Sequence, residues 1–160
     1  QVKIIKKALD PIQTLNELFI QYQRKIAETE KENIALRLRI PDFMISIKTD
    51  KVRLNQILSN LLNNSIKFTH HGEIEFGIME ITEQRITFFV SDTGIGLEED
   101  LQSTIFERFR QANDSMTRLY GGAGLGLAIV KNLIELMDGE ISLESEIGKG
   151  TTFKFWLPLN

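Results

Sequence analysis

The stretch DKVRLNQILSNLLNNSIKF, residues 50–68, predicts an amphipathic helix with an unusual polar face. Its leucines and isoleucines recur at spacings of three and four, as in a helix that covers a hydrophobic core. The other side carries cations and amides, namely Arg53, Gln56, Asn60, Asn64 and Lys67. An asparagine inside a helix costs roughly half a kcal/mol relative to alanine, so a merely solvated face would use Glu or Lys instead. Amide oxygens one turn apart suit a hard cation such as Mg²⁺ that is shared with phosphates; ordinary surface asparagines are the alternative.

Periodic patterns on either side of this helix predict the remaining elements. Asp10-Pro11 is a helix start, an N-cap followed by a proline in the first turn, and the apolar stripe after it fades near Lys31. Alternating residues predict strands near 36–40, 74–78, 86–90, 141–143 and 153–157, and a third helix runs from Leu125 to Met137 and stops at Gly139. Residues 97–124 have no clean period and are long for a connection, which is typical of a functional lid. The sum is an α+β fold, a two-layer sandwich with helices packed on one face of a mixed, largely antiparallel sheet.

The composition is that of one globular domain and excludes several classes of protein. With 42% hydrophobic and 26% charged residues, the 160-residue chain is neither a disordered tail nor a low-complexity stalk. It has no cysteine, which excludes a disulfide framework and a cysteine nucleophile. A net charge of -3 argues against nucleic acid as a partner, and no apolar run reaches the ~20 residues that span a bilayer. The chain begins with Gln1 rather than methionine, so we expect a fragment of a longer protein.

Two glycine-containing segments are candidates for ligand binding. Asp92-Thr93-Gly94-Ile95-Gly96 ends a strand, where glycine lets a ligand approach the backbone and a fixed carboxylate can accept a hydrogen bond from an amine. The same Asp-Thr-Gly matches the short signature of aspartic proteases, in which two carboxylates share a proton.

Residues 121–126, GGAGLG, open the third helix, whose free N–H groups attract phosphates. Neither a P-loop nor a dinucleotide fingerprint fits the details, and the protein-kinase motifs do not occur together.

Taken in order along the chain, these features resemble the catalytic and ATP-binding domain of sensor histidine kinases, of the ATPase superfamily shared with gyrase and MutL. The resemblance rests on five segments, residues 60–69, 92–96, 105–109 (IFERF), 122–127 (GAGLGL) and 148–153 (GKGTTF). They correspond in order to the N, G1, F, G2 and G3 boxes of that family. The resemblance implies the Bergerat ATP-binding fold with ATP and Mg²⁺ as ligands. It also implies that residues 1–10 are a linker from a missing upstream helical hairpin and that 11–160 are the catalytic and ATP-binding domain.

The resemblance also implies roles for individual residues. Asn64 would hold magnesium, Asn60 would lie near the triphosphate and Lys67 would contact phosphate, so these three are the catalytic candidates. Asp92 would accept a hydrogen bond from the exocyclic amine of adenine, and Phe68 would pack against the base. The remaining ATP-binding candidates are Gly94, Gly96, Gly122, Gly124, Gly126, Leu127 and Thr151.

The chain departs from the family pattern at three positions. Ser65 replaces the usual alanine after the second asparagine and Ala123 replaces a common threonine; both residues are small, and we expect no effect from either. Gln111 stands where many relatives carry an arginine. The lid cation that faces the phosphates is therefore Arg110 or Arg118, and we favour Arg118.

Two further expectations concern the lid and the phosphoacceptor. Residues 97–121 would form the ATP lid, with Phe106 and Phe109 as its anchors. His70 and His71 are interpreted as solvated turn residues, because the acceptor run of the family does not occur in this chain. The accepting histidine is thus expected on a separate domain.

The function implied is transfer of the γ-phosphoryl group of Mg-ATP to a histidine on a dimerisation and phosphoacceptor domain, in two-component signal transduction. Little activity is expected without that domain. The implied partners are this upstream domain and a response regulator receiver domain, with no nucleic acid and no direct membrane contact. We expect a monomeric, cytoplasmic domain whose parent is dimeric and membrane-anchored. The alternatives are a serine-directed kinase of the same superfamily, a nucleotide-dependent regulatory module without kinase activity and, remotely, the aspartic protease.

Overall fold

The computed structural model describes residues 2–31, 33–106 and 123–160, which form helices on one side of a sheet. In chain order the elements are β1 (Lys7–Leu9), α1 (Pro11–Glu28), β2 (Ile34–Arg39), β3 (Ile47–Thr49), α2 (Lys51–Phe68), β4 (Gly72–Ile81), β5 (Arg85–Asp92), α3 (Glu99–Gln102), α4 (Ala123–Leu136), β6 (Glu140–Glu146) and β7 (Gly150–Pro158). The α+β sandwich predicted from the sequence is confirmed.

The main sheet is mixed, and its one parallel pair positions α2. Its strand order within the described ranges is β2-β4-β5-β7-β6. Strands β2 and β4 are parallel, and the other neighbours are antiparallel. A parallel connection needs a crossover, and α2 is that crossover because it lies between β2 and β4 in the chain. The end of α2 therefore comes close to the end of β5.

The two faces of the sheet have different chemistry. On the inner face, alternate residues of β5, Ile86, Phe88 and Val90, are fully buried beneath α1, α2 and α4. On the outer face, charged side chains of β2 and β4 pair, as Arg37 does with Glu73 at 2.7 Å. Within the described ranges, the core and the helices thus lie on one side of the sheet, as predicted.

A second, smaller sheet was not predicted. Strand β1 pairs with β3 in antiparallel fashion, with Lys7 opposite Thr49. Three residues are too few to show an alternating pattern, so only the distant partner strand reveals β1. That residues 1–10 lead to an upstream hairpin stays a prediction.

The ends of α4 differ from the prediction in detail. The helix starts at Ala123, two residues before the expected Leu125, and ends at Leu136. The left-handed residue after it is Asp138, with φ 64°, rather than the expected Gly139. Gly139 is needed for another reason, since a Cβ there would collide with the Trp156 carbonyl oxygen. Among the described residues, no helix combines the length and the apolar character that crossing a bilayer requires.

Candidate functional site

Helix α2 carries most of the candidate residues and is held at both ends. At its start, Asp50 Oδ1 accepts a hydrogen bond from the Arg53 amide at 3.1 Å, and Asp50 Oδ2 accepts one from the Ile5 amide at 2.8 Å. At its end, the Lys31 ammonium group donates to the carbonyl oxygens of Ile66 and Lys67. A cation is favourable at a helix C-terminus, where the carbonyl groups are unpaired. Contacts from outside the helix therefore fix its position.

Three asparagines in the second half of α2 divide into one structural residue and two whose side chains make no hydrogen bond with a described residue. Asn63 faces α1, where its Oδ1 accepts hydrogen bonds from the Tyr22 hydroxyl at 3.0 Å and from Lys25 Nζ at 2.7 Å. Asn60 and Asn64 make no side-chain hydrogen bond with any described residue, although Asn64 is only 8% exposed. Buried amides normally find partners, so these two are available to a ligand.

The polar face of α2 meets the first turn of α4. A Cβ built on Gly126 would lie 3.9 Å from Asn60 Oδ1. The structure thus brings together a predicted residue of the asparagine helix and a predicted glycine of the GGAGLG segment. Amide groups of a helix start and amide oxygens of a second helix form a surface that suits an anion with its counter-ion.

Asp92 lies at the end of β5, between Ile74 of β4 and Thr151 of β7. It is buried, and its Oδ1 accepts hydrogen bonds from the Gly94 amide at 2.9 Å and the Thr151 amide at 3.2 Å. Burial raises the pKa of Asp92, while these two amides and the nearby Ser65 side chain lower it. No described residue donates to Asp92 Oδ2 with hydrogen-bond geometry, which leaves one oxygen to accept from a ligand.

The glycines after Asp92 are required by close packing. A Cβ on Gly94 would collide with the Phe68 carbonyl oxygen and lie 2.9 Å from Thr69 Oγ1. Gly96 has a left-handed backbone, φ 75°, and a Cβ there would collide with the Glu146 carbonyl oxygen. The Ile95 amide donates to the Phe68 carbonyl oxygen at 3.2 Å. These contacts join the turn to α2; direct contact of the two glycines with a base stays a prediction.

Thr151 belongs to a chain of hydroxyl groups that sequence analysis missed. Its Oγ1 lies 2.8 Å from Ser145 Oγ, which also accepts from the Leu97 amide at 2.8 Å and donates to the Gly150 carbonyl oxygen at 3.0 Å. Ser145 is an ordinary residue of an alternating strand, so its sequence gave no signal. Its position opposite Thr151 in the register of β6 and β7 is what brings it to the site.

Two hydroxyl-bearing residues near Asp92 were also missed. Ser65 and Thr69 are 1% and 0% exposed, and their hydroxyl oxygens have no hydrogen-bond partner among the described residues. The available signal was the replacement of the family's alanine by Ser65, which we had expected to have no effect.

The other predicted residues lie at the end of α2, in α4 or outside the described ranges. Lys67 is exposed at the end of α2, Phe68 is half-buried against the core, and Leu127 is fully buried in it. Gly124 lies in the first turn of α4. The candidates Arg118 and Gly122, the alternative Arg110 and the lid anchor Phe109 fall among residues 107–122, which are not described. The other expected lid anchor, Phe106, packs edge-on against Phe153 with ring centroids 6.1 Å apart.

The donor set of the site favours a cation shared with a ligand. Within the described ranges no group of three or more His, Cys, Asp and Glu could form a metal cage. Mg²⁺ commonly takes one or two protein oxygens together with phosphates and water, which Asn64 could satisfy. None of the described groups that shift the pKa of Asp92 is a second carboxylate, so the described residues do not support the paired acids of an aspartic protease.

Comparisons with known proteins agree with this geometry. Residues 49–160 match the family model described as "Histidine kinase-, DNA gyrase B-, and HSP90-like ATPase". The chain is 43% identical, over 98% of its length, to the autoinducer 2 sensor kinase/phosphatase LuxQ of Vibrio vulnificus (strain YJ016), and 42% identical, over 91%, to the circadian input-output histidine kinase CikA of Synechococcus elongatus. It spans 19% of the length of each of these relatives.

Solved structures are similar over nearly the whole chain. The catalytic domain of histidine kinase ThkA, in a nucleotide-free form, gives a TM-score of 0.80 at 25% identity, covering 97% of this chain and 98% of that one. Full-length ShkA in complex with AMPPNP gives a TM-score of 0.78 at 32% identity, covering 98% of this chain and 32% of that one.

Proposed function

Since this chain belongs to the histidine kinase-, DNA gyrase B- and HSP90-like ATPase family, we propose that it binds Mg-ATP and transfers the γ-phosphoryl group to a histidine on a separate phosphoacceptor domain. The observation that carries the proposal is the hydrogen bonding of the two carboxylate oxygens of Asp92. One carboxylate oxygen is used by two backbone amides, and the other has no donor among the described residues. A buried acceptor of this kind selects a ligand amine such as the exocyclic amine of adenine.

The polar face of α2 would take the triphosphate. Asn60 and Lys67 would contact phosphate oxygens, together with backbone amides of the first turn of α4, where Gly124 and Gly126 lie. Asn64 would hold Mg²⁺, and its buried, unused amide fits that role. Magnesium, when bound, would neutralise charge on the phosphates during transfer. Arg118 and Gly122 of the lid segment belong to the same proposal.

The base would lie at the Asp92 corner. Thr151 supports Asp92 through its amide and would stand beside the adenine. Phe68, at the end of α2, would pack against the ring, with Gly94, Gly96 and Leu127 forming the surrounding walls.

The transfer step needs a second domain. An imidazole nitrogen forms a bond to the γ-phosphorus as the bond from that phosphorus to the β,γ-bridging oxygen breaks, and ADP leaves with the bridging oxygen. The imidazole proton passes to a base, which we expect on the acceptor domain. This chain would contribute positioning and charge neutralisation, which supply most of the catalysis in phosphoryl transfer.

We extend the proposal to the parent protein. Its partners would be an upstream dimerisation and phosphoacceptor domain and a response regulator receiver domain, because the relatives are sensor kinases much longer than this chain. The isolated domain would be monomeric and cytoplasmic, and the parent dimeric and membrane-anchored. No specific observation favours a serine acceptor or a purely regulatory module.

Calorimetric titration with Mg-AMPPNP tests the nucleotide site. We expect the native domain to bind Mg-AMPPNP and Asp92→Asn to bind it with an affinity lower by roughly a hundredfold or more. The asparagine side chain would present either an NH₂ donor or a weaker, uncharged acceptor to the base amine. Asp138→Asn is the matched control, since this exposed aspartate lies at the end of α4 and asparagine tolerates its left-handed backbone. Equal binding by Asp92→Asn and the native domain would disprove the base-recognition role.

The stability of Asp92→Asn separates a binding defect from misfolding. A raised pKa in the folded state contributes stability that is present below the ordinary pKa and lost as pH rises through the raised pKa. Asparagine does not ionise and avoids this loss. We therefore expect the difference in urea stability, Asp92→Asn minus native, to become more positive as the pH rises from acid to neutral. The variant should nevertheless lose nucleotide binding.

Phosphoryl transfer is tested separately by adding the acceptor domain of the parent and labelled ATP. Label on the acceptor histidine supports the proposal. Nucleotide binding without any labelled histidine would instead favour the regulatory module.

A further inference from the structure

Three polar side chains lie in a row across the inner face of the sheet. Asp92 on β5 is directly opposite Thr151 on β7, and Thr151 is directly opposite Ser145 on β6. Residues directly opposite each other on antiparallel strands share a face of the sheet, with Cβ atoms about 4.5–5.5 Å apart. Asp92 and Thr151 are both buried. Ser145 is therefore the neighbour of the residue that we place beside the adenine.

The hydroxyl group of Ser145 has three partners, and their chemistry fixes the direction of each hydrogen bond. Its Oγ lies 2.8 Å from the Leu97 amide nitrogen, 3.0 Å from the Gly150 carbonyl oxygen and 2.8 Å from Thr151 Oγ1. An amide N–H can only donate, and a carbonyl oxygen can only accept. The single hydrogen of the Ser145 hydroxyl therefore goes to Gly150, which leaves a lone pair for Thr151.

Thr151 must then be the donor of the hydroxyl pair. Its one hydroxyl hydrogen is used by Ser145, and no described residue donates to its Oγ1. Thr151 Oγ1 thus has only lone pairs to offer a ligand. The free carboxylate oxygen of Asp92, Oδ2, is an acceptor as well. Together the two residues form an acceptor surface, which favours an N–H group and disfavours a carbonyl oxygen.

We infer that Ser145 is a positioning residue for base recognition: it takes the hydroxyl hydrogen of Thr151, makes that residue an acceptor and so disfavours purines with a carbonyl oxygen in place of the amine. The inference rests on the proposed function and deepens it, because it assigns part of the choice of base to a residue two strands away from Asp92. Alanine at this position would release the Thr151 hydroxyl group, which could then rotate and donate to a carbonyl oxygen.

The test is the ratio of the affinities for Mg-ADP and Mg-IDP, measured by calorimetry on the native domain and on Ser145→Ala. The base of IDP, hypoxanthine, has an oxygen where adenine has its amine, and neither nucleotide has a γ-phosphoryl group to transfer. We expect the native domain to prefer Mg-ADP by roughly a hundredfold or more. Ser145→Ala should lower this preference by about three- to tenfold, as expected for one hydrogen bond gained by the oxo base.

Ser142→Ala is the matched control. Ser142 is exposed and lies three residues from Ser145 on the same strand, so its side chain is on the opposite face of the sheet. The same chemical change there should leave the preference for Mg-ADP as it is in the native domain.

A double-mutant cycle shows whether Ser145 acts through Thr151. Valine is close in size to threonine but has no hydroxyl group, so in a Thr151→Val background the change Ser145→Ala should not alter the ratio. A ratio that falls equally in both backgrounds overturns the inference. If Ser145→Ala weakens both nucleotides by the same factor, or leaves both unchanged, the residue has no role in the choice of base and the inference is overturned as well.

The native domain alone separates the inference from the proposed function. Equal affinities for Mg-ADP and Mg-IDP would overturn the acceptor surface while leaving a nucleotide site in place. A native domain that binds neither nucleotide would overturn the proposed function.

A second measurement needs neither nucleotide nor a folded variant. The Thr151 hydroxyl hydrogen, held by Ser145 in the native domain, should exchange with water slowly enough to be observed by ¹H NMR at low temperature. In Ser145→Ala this resonance should disappear. Exchange too fast for the resonance to be observed in the native domain would show that the Thr151 hydroxyl is not held, and would overturn the inference even if Ser145→Ala did not fold.

Discussion

The corner around Asp92 and the polar face of α2 differ in how far their polar groups are already used. At the corner, two amides bind Asp92 Oδ1 and Gly94 is pressed against the Phe68 carbonyl oxygen. On the polar face, the amide side chains of Asn60 and Asn64 make no hydrogen bond with any described residue. Folding therefore builds the first region, whereas under the proposed function the nucleotide and its magnesium would supply the partners of the second.

This difference separates stability from binding. A substitution that disrupts the packing of the corner should disturb both, because the contacts that shape the site also join α2 to β5 and β7. A substitution on the polar face should affect binding alone. Ser65 and Thr69 are exceptions, since their buried hydroxyl groups have no hydrogen-bond partner among the described residues.

Gly94→Ala should have the largest effect. Its Cβ would meet the Phe68 carbonyl oxygen and two further polar atoms, Thr69 Oγ1 and Asp92 Oδ1, so the turn must move away from α2. Overpacking of this kind costs about 1–3 kcal/mol, and the displaced Asp92 should also lose most of its affinity for Mg-AMPPNP. Urea denaturation and calorimetry measure the two losses.

Gly148→Ala is the control for this prediction. Gly148 has a left-handed backbone, φ 83°, but a Cβ there would have nothing within 4 Å. Backbone strain of about 1–2 kcal/mol should lower stability without changing nucleotide affinity. Unchanged binding in Gly94→Ala would show that the corner is not part of the site.

Asn63→Ala and Asn64→Ala should show opposite defects, although the two residues are adjacent. Loss of Asn63 leaves the Tyr22 hydroxyl and Lys25 without their shared acceptor, which should cost about 1 kcal/mol of stability and little affinity. Loss of Asn64 removes an amide that no described residue uses, so stability should hold while Mg-AMPPNP affinity falls roughly tenfold or more. Urea denaturation and calorimetry of both variants give the comparison. A stability loss in Asn64→Ala that matches Asn63→Ala would contradict the division of roles.

The sequence predicted the parts of the fold that depend on local pattern. Helix α2 has a strong apolar period and an N-cap at Asp50, so the predicted bounds, residues 50–68, differ by one residue at the start from the observed Lys51–Phe68. The β strands of the main sheet alternate clearly. In contrast, β1 has three residues and exists only because β3 lies beside it. The end of α4 was misjudged because glycine is the usual left-handed residue, whereas here Gly139 makes room for the Trp156 carbonyl oxygen and Asp138 takes the turn.

The sequence predicted those candidate site residues that lie within recognisable motifs. Asp92 and Asn64 stand in recognisable segments, and their burial agrees with binding roles. Ser145 was not predictable, because an alternating strand gives no hint of its neighbour across the sheet.

Gly126→Ala should have the smallest effect and tests the polar face most directly. The new methyl group would lie 3.9 Å from Asn60 Oδ1, an ordinary contact, and alanine favours a helix over glycine by about 0.5–1 kcal/mol. Stability in urea should therefore hold or rise. Mg-AMPPNP affinity should fall by several-fold, because the methyl group occupies the space between α4 and Asn60 that a phosphate would enter. If stability fell instead, the start of α4 would be as tightly packed as the Asp92 corner, and the contrast between the two regions would be wrong.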